Sequence, residues 1–260
     1  GLGNALIDVL ATLKDDTLLD ELELPKGSMQ LIDDAKLQQI NTKFSQMKTH
    51  LATGGSAGNA ILGLACLGAG TGFIGKVGND HYGDFFRKNL QKNNIEDKLL
   101  TSEHLPSGVA STFISQDGER TFGTYLGAAA SLKAEDLTLE MFKGYAYLFI
   151  EGYLVQDHEM ILHAIELAKE AGLQICLDMA SYNIVENDLE FFSLLINKYV
   201  DIVFANEEEA KAFTGEEPEE ALRVIAKKCS IAIVKVGANG SYIRKGTEEI
   251  KVSAIPVEKV

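Results

Sequence analysis

The stretch from Thr53 to Gly83, TGGSAGNAILGLACLGAGTGFIGKVGNDHYG, sets glycines at 54, 55, 58, 63, 68, 70, 72, 75, 78 and 83 among small and apolar residues. In that company they are not a flexible linker; they mark backbone that must come close to something. The common phosphate and acyl-transfer motifs do not account for it. Gly75-Lys76 is followed by Val77, so a P-loop fails at the residue that would hold Mg²⁺. Gly1-Leu2-Gly3 has Leu6 where a dinucleotide fingerprint needs its third glycine, and no G-x-S-x-G elbow occurs. His158-Glu159 and His163 are one residue too far apart to share the helix face of a zinc protease.

The elements around this stretch alternate. Pro25-Lys26-Gly27 marks a turn within a mixed region ending at Leu31. Asp33 reads as the N-cap of a helix running to about His50, with apolar positions at Leu37, Ile40, Phe44 and Met47. Ser56–Leu67 reads as a buried helix, Phe73–Val77 as a strand and His81–Asn93 as a helix. Residues 107–125 form a hairpin turning at Gln116-Asp117-Gly118-Glu119. Beyond Ala134 the pattern predicts strand 146–150, helix 157–171, strand 174–177, helix 188–198, strand 201–204, helices 206–214 and 218–228, and strand 231–236. A turn at Gly237–Ser241 follows, and Tyr242–Arg244 pairs with Glu249–Val252. This spacing implies βαβ crossovers: a doubly wound, mostly parallel α/β sheet flanked by helices, with segments 9–31 and 107–125 forming a small separate sheet.

Composition narrows the class. A chain of 260 residues with 46% hydrophobic content can bury a large core. Its net charge of −14 argues against a nucleic-acid or anionic-membrane partner, though not against a phosphate ligand held by local N–H groups and one or two cations. No apolar run reaches the roughly 18 residues that suggest a membrane span. Cys66, Cys176 and Cys229 stand far apart in apolar or small-residue settings, which predicts buried free thiols and a cytoplasmic protein. The chain begins at Gly1 inside what reads as the end of a strand, and a few residues are expected upstream.

Five pieces fall in order along the chain: Gly3-Asn4-Ala5-Leu6-Ile7-Asp8; the Gly54–Gly83 stretch with Gly54-Gly55-Ser56-Ala57-Gly58-Asn59 and Gly75-Lys76-Val77-Gly78-Asn79-Asp80; Arg120 through Ala128 (RTFGTYLGA); Asn206-Glu207-Glu208-Glu209; and Val236-Gly237-Ala238-Asn239-Gly240. Together they resemble the PfkB (ribokinase-like) carbohydrate and nucleoside kinases over essentially the whole chain. The resemblance implies one α/β kinase domain over 1–260 with a small β-sheet lid, transferring the γ-phosphate of ATP, with Mg²⁺, to a sugar or nucleoside hydroxyl.

Residue by residue, the resemblance makes Asp8 the substrate carboxylate, able to accept two hydrogen bonds from vicinal hydroxyls. Gly54-Gly55 become the hinge where backbone approaches the acceptor, and Asn59 a side chain bonding a ring hydroxyl. Arg120 becomes a cation reaching the closed site, and Glu151 a strand-end acid near the acceptor or ion. Asn206 and Glu209 match an N-x-x-E element near Mg²⁺ and the triphosphate, Glu209 acting through metal-bound water; the same residues also read as a helix start with dipole-favoured acids. Gly237 and Gly240 open the nucleotide site, with Lys235 and Val236 standing where the family usually has Thr or Ser. Its D-T-x-G-A-G-D segment, which supplies the anion hole and the catalytic base, would follow a strand resembling Val252–Val260.

The Gly-Asn-x-x-x-Asp opening and Tyr-Leu-Gly-Ala favour the adenosine-kinase-like branch, with a nucleoside acceptor first, a furanose sugar next, and Phe113, Phe122 and Tyr125 as candidates for stacking on a base. A non-catalytic sugar- or nucleoside-binding relative is the alternative. A homodimer through the lid would cover its strand edges. The 260 residues alone are expected to be inactive, and adding downstream sequence to restore phosphoryl transfer; a full-length chain with no Asp after a Gly-Ala-Gly would overturn this.

Overall fold

Burial alternates from the first strand: β1 (Leu6–Thr12) buries Ile7, Val9 and Ala11 and turns Leu6, Asp8 and Leu10 to the other face. In the computed structural model, which describes residues 1–256, the chain divides into two compact units, Gly1 with Gly3–Leu132 and Leu2 with the residues from Lys133 onward.

In the first unit β1 is followed by α1 (Thr17–Glu21), β2 (Met29–Leu31), α2 (Asp34–Phe44), β3 (Thr49–Gly54) and α3 (Ser56–Cys66). Then come β4 (Thr71–Gly78), α4 (His81–Lys92), β5 (Ile95–Ser102), β6 (Gly108–Ile114) and β7 (Arg120–Tyr125). Five strands form a sheet in the order β2-β7-β6-β1-β3, while β4 and β5 pair in parallel. The hairpin β6–β7 turns where expected, with Ser115 N–H donating to Glu119 O at 2.9 Å. Asp33 caps α2, accepting from Lys36 N–H at 2.8 Å. One face of α2 buries Leu37, Ile40 and Phe44, the i, i+3, i+7 stripe of an amphipathic helix. The Phe44 ring meets Phe113 of β6 with centroids 5.0 Å apart, which closes the core on that side of the sheet.

Several expectations need correction here. The helix expected to reach about His50 stops at Phe44, because 49–54 are taken up by antiparallel pairing with β1, from Leu6 with Gly54 to Ala11 with Thr49. Asp8 lies in the middle of β1, within the five-stranded sheet. Helix α3 is not buried all round; Ala57 and Ile61 face inward, whereas Leu64, Cys66 and Leu67 are exposed. The expectation of three buried thiols therefore holds only for Cys176, with Cys229 half-buried. Strand β5 went unanticipated.

The second unit runs β8 (Tyr147–Glu151), α5 (His158–Glu170), β9 (Gln174–Asp178), α6 (Tyr182–Asn187), α7 (Leu189–Lys198), β10 (Ile202–Asn206), α8 (Glu207–Thr214), α9 (Pro218–Ile225), β11 (Ile231–Lys235), β12 (Ser241–Lys245) and β13 (Glu248–Val252). Strands β8 to β11 are parallel neighbours, and β12 and β13 extend the sheet antiparallel. Helix α5 buries Met160, Ile161, Ala164, Ile165 and Ala168 on one stripe, and Pro218 opens α9 where a missing N–H costs nothing. Strands β8–β11 match the predicted ones closely; α6 was not foreseen. Of the strand expected over Val252–Val260, the last four residues lie outside the described residues. No described helix is long and apolar enough to cross a membrane.

The Phe44–Phe113 contact supports a stability prediction. Phe113 is 0% exposed, so Phe113→Ala removes a fully enclosed ring and should cost about 3–5 kcal/mol, read as a drop in the urea midpoint with an unchanged slope.

Candidate active site

The strand registers of the first unit place a set of side chains on the sheet face opposite α2. Asp8 pairs with Ala52 on one side and Ala110 on the other; Leu10 pairs with Thr112, Thr112 with Phe122 and Phe122 with Met29. Paired residues share a face, so Asp8 sits among Leu6, Leu10, Phe122, Met29 and Leu31. Leu10 and Phe122 are half-buried, and Met29 and Leu31 are exposed. These apolar side chains surround one carboxylate near the centre of the face, whose other polar members are His50, Thr112, Thr124 and Arg120.

That carboxylate is perturbed. Burial pushes the Asp8 pKa up from 3.8 to about 6, against the opposing pull of the Arg120 charge. Arg120 is exposed at the start of β7, so the cation expected near the substrate acts on the expected substrate carboxylate. Gly54 lies across from Leu6, and any Cβ there would run into the Asp8 carboxylate itself. Gly55 adopts φ +84 as the N-cap of α3, where a Cβ would collide with Asn4 O. Asn59 stands exposed in the next turn of α3, its N–H donating to Gly55 O at 3.0 Å. Asp8, Arg120 and the Gly54–Gly55 turn are thus brought together by β1, β3 and β7.

In the second unit the candidates collect at the carboxyl ends of parallel strands, where open α/β sheets bind ligands. Glu151 ends β8, is 1% exposed, and pairs in register with Asp178 at the end of β9. Asn206 ends β10 and pairs with Lys235 at the end of β11. Asn206 and Glu209 form a reciprocal capping box: Glu209 N–H donates to Asn206 Oδ1 at 2.8 Å, and Asn206 N–H and Nδ2 donate to Glu209 at 2.7 and 2.8 Å. The helix-start reading of this motif is therefore realised, but it does not explain the burial. Glu207 and Glu208 are exposed whereas Glu209 is 3% exposed. Burial raises its pKa; the Asn206 N–H opposes this, the Asp178 charge adds to it and Lys235 offsets it.

Asp178 was not singled out from the sequence. Its carboxylate accepts from Lys235 Nζ at 3.0 Å and from Ala180 N–H at 3.0 Å. Ala180 holds φ +65, a conformation that costs a non-glycine residue about 1 kcal/mol. Tyr153 was missed too; its pKa is raised by burial and then by the charges of Glu209, Glu151 and Asp178. A charged residue closing the apolar run Ile175-Cys176-Leu177 was the available signal. Gly237 adopts φ +52 with open space around it, consistent with a turn that leaves room for a ligand; Gly240 is required by the backbone of β13, whose Val252 O would meet its Cβ. Among the described residues no group of three or more His, Cys, Asp or Glu is arranged to cage a metal ion.

With fold and geometry defined, comparison with known proteins assigns the class: residues 27–260 match the pfkB family carbohydrate kinase model, and the chain belongs to that family. Among solved structures, a probable sugar kinase from Rhizobium etli CFN 42 superposes with a TM-score of 0.88 at 32% identity, covering 100% of this chain and 79% of that one. An adenosine kinase from Sinorhizobium meliloti does so with a TM-score of 0.87 at 32% identity, covering 100% and 80%. The guanosine-inosine kinase of Escherichia coli K12 is 25% identical over 262 residues, which are 96% of this chain and 60% of that protein. The chain therefore spans about three-fifths of the length of that relative. The ribokinase-like α/β fold and the adenosine-kinase-like resemblance both hold.

The displaced Asp8 pKa makes a testable claim. Unfolded, Asp8 ionises near its ordinary 3.8; folded, it does so at about 6. Its ionisation in place costs no stability below pH 4, costs progressively more between pH 4 and 6, and reaches its full cost above 6. Asp8→Asn should therefore stabilise the fold at neutral pH by about 1–2 kcal/mol, allowing for solvent contact, and leave it unchanged at pH 4. Thermal unfolding across that range checks it; a variant equally destabilised at every pH would refute it.

Proposed function

We propose that the full-length protein is an ATP-dependent kinase that phosphorylates the hydroxymethyl group of a nucleoside, adenosine first. Membership of the pfkB family supports the reaction class, and the apolar sheet face around Asp8 is the observation that carries the choice of acceptor. A free furanose carries hydroxyls on every side and would leave Leu10, Phe122, Met29 and Leu31 without partners. A nucleoside has a planar, largely apolar base to cover them and a ribose diol for the carboxylate.

On this reading Asp8 accepts hydrogen bonds from the two ribose hydroxyls and thereby orients the hydroxymethyl group. Binding of the diol favours the ionised carboxylate, so acceptor affinity should fall as pH drops through about 6. The Gly54–Gly55 turn lets backbone approach the sugar, Asn59 offers an amide to a ring hydroxyl, and Arg120 adds positive charge beside Asp8. ATP with Mg²⁺ supplies the phosphoryl group and the charge neutralisation it needs. The second unit's residues suit that group: Glu209, both of whose oxygens already accept from Asn206, can take a further bond from metal-held water. Lys235 offers a cation to phosphate oxygens, Asn206 an amide edge, Gly237 an open turn, and Glu151 a second buried acid.

The test is phosphoryl transfer by the full-length protein with adenosine, guanosine, inosine, ribose and fructose as acceptors. A nucleoside should exceed both sugars in kcat/KM by about tenfold or more. Phosphorylation of sugars with no nucleoside turned over would overturn the acceptor assignment.

A further inference from the structure

Within the first unit, the five-stranded sheet joins the β4–β5 layer through four chain segments, and each is tied to β4 or α4. The lead into β1 is held by Ile74 N–H donating to Gly1 O at 2.8 Å and Gly3 N–H to Ile74 O at 3.2 Å. The end of β3 meets α4 through Thr53 Oγ1 and Asn89 Oδ1, 3.3 Å apart. Beyond β7, Ser131 O accepts from Lys76 Nζ at 3.1 Å. The entry into β6 has the densest tie. Ser107, 1% exposed, donates its N–H to Asp80 Oδ2 at 2.7 Å and its O–H to Asp80 Oδ1 at 2.7 Å, while its Oγ accepts from Gly78 N–H at 2.9 Å. Asp80 Oδ1 also caps α4, accepting from Tyr82 and Gly83 N–H at 3.0 and 2.9 Å.

A helix cap needs only one of these oxygens. The second is committed to Ser107, the residue before Gly108, which pairs with Leu6 two positions from Asp8. The residue before Ser107 is bound to the other root of the hairpin, Pro106 O accepting from Ala128 N–H at 2.8 Å. A single carboxylate thus joins the start of α4, the end of β4 and the base of the β6–β7 hairpin.

We propose that Asp80 is a positioning residue: acting through Ser107, it fixes the seat of the five-stranded sheet and thereby the placement of Asp8. Losing this tie leaves β1, β3, β6 and β7 folded among themselves but free to open together from α4 and β4. The effect on the acceptor rests on the kinase reading; the effect on the sheet does not.

Asp80→Asn separates the two roles. Its carbonyl oxygen still caps α4, but its amide presents a donor to Ser107 N–H, and that bond is lost. Ser107→Ala is a second route, removing the hydroxyl and leaving the cap intact. Amide hydrogen exchange on the full-length protein without substrate should show Gly3 and Ile74, whose N–H groups bridge the lead into β1 and β4, accelerated about 10- to 100-fold in both variants, with the paired amides of β1, β3, β6 and β7 and those of α4 and β5 unchanged. Acceleration spread evenly over α4 and β5, or none at Gly3 and Ile74, would overturn the proposal. In phosphoryl transfer, the acceptor KM should rise about tenfold with the ATP KM unmoved; both rising together would remove the link to Asp8. Should the full-length wild type transfer no phosphoryl group, the kinase reading fails and the exchange pattern still decides the role of Asp80.

Discussion

A carboxylate in the middle of an apolar sheet face is costly to keep ionised, and the arrangement of the first unit follows from keeping one there. Asp8 cannot be moved along β1 by a single residue without turning it into the core beside Ile7 and Val9. Its neighbours on β3 and β6 are small, Ala52 and Ala110, which leaves its oxygens reachable. Arg120, placed on the same face by the β6–β7 register, softens the cost without pairing so tightly as to occupy the carboxylate. The larger apolar residues stand farther out, where they raise the local cost of charge and offer a surface to a ligand.

The second unit solves a different electrostatic problem. Four adjacent parallel strands end in Glu151, Asp178, Asn206 and Lys235, so strand spacing alone brings two acids, an amide and a cation side by side. Glu209 adds a third acid from the first turn of α8. Burial is the main cause of the raised pKa values of Glu209 and Tyr153, and the neighbouring carboxylates add to both. On the proposed reading this is where the metal–nucleotide complex, an anion that arrives with its cation, is received. The strained turn at Ala180 belongs here as well, since it is what lets a backbone N–H hold Asp178 toward Lys235.

Much of this was legible in the sequence where local pattern and tertiary structure agree. The βαβ spacing beyond Ala134 located β8 to β11 because parallel strands buried on both faces are continuous apolar runs bounded by turns. Asp33, with helical periodicity behind it, marked the start of α2 correctly. The failures have physical causes. The helix expected to run to about His50 overreaches because Thr49 and His50 already belong to β3, which forms only by pairing with a strand some forty residues earlier. The apolar run of α3 reads as buried, yet Leu64 and Leu67 are exposed. The site divides likewise: Asp8, Arg120, Asn206 and Glu209 lay in recognisable pieces, whereas Asp178 and Tyr153 become notable only once strand ends and burial set their neighbours.

The contact between Gly54 and Asp8 also constrains how this chain can change over generations. Since a methyl group at 54 would occupy the space of the carboxylate, position 54 cannot be altered independently: a larger residue there becomes tolerable only after the acid at 8 has been lost or has swung away. Sequences that leave by that route cannot return in one step, because restoring the acid would meet a side chain already in its place. The pair therefore acts as a ratchet: an acid held in this position at 8 requires the glycine at 54, whereas the glycine does not require the acid.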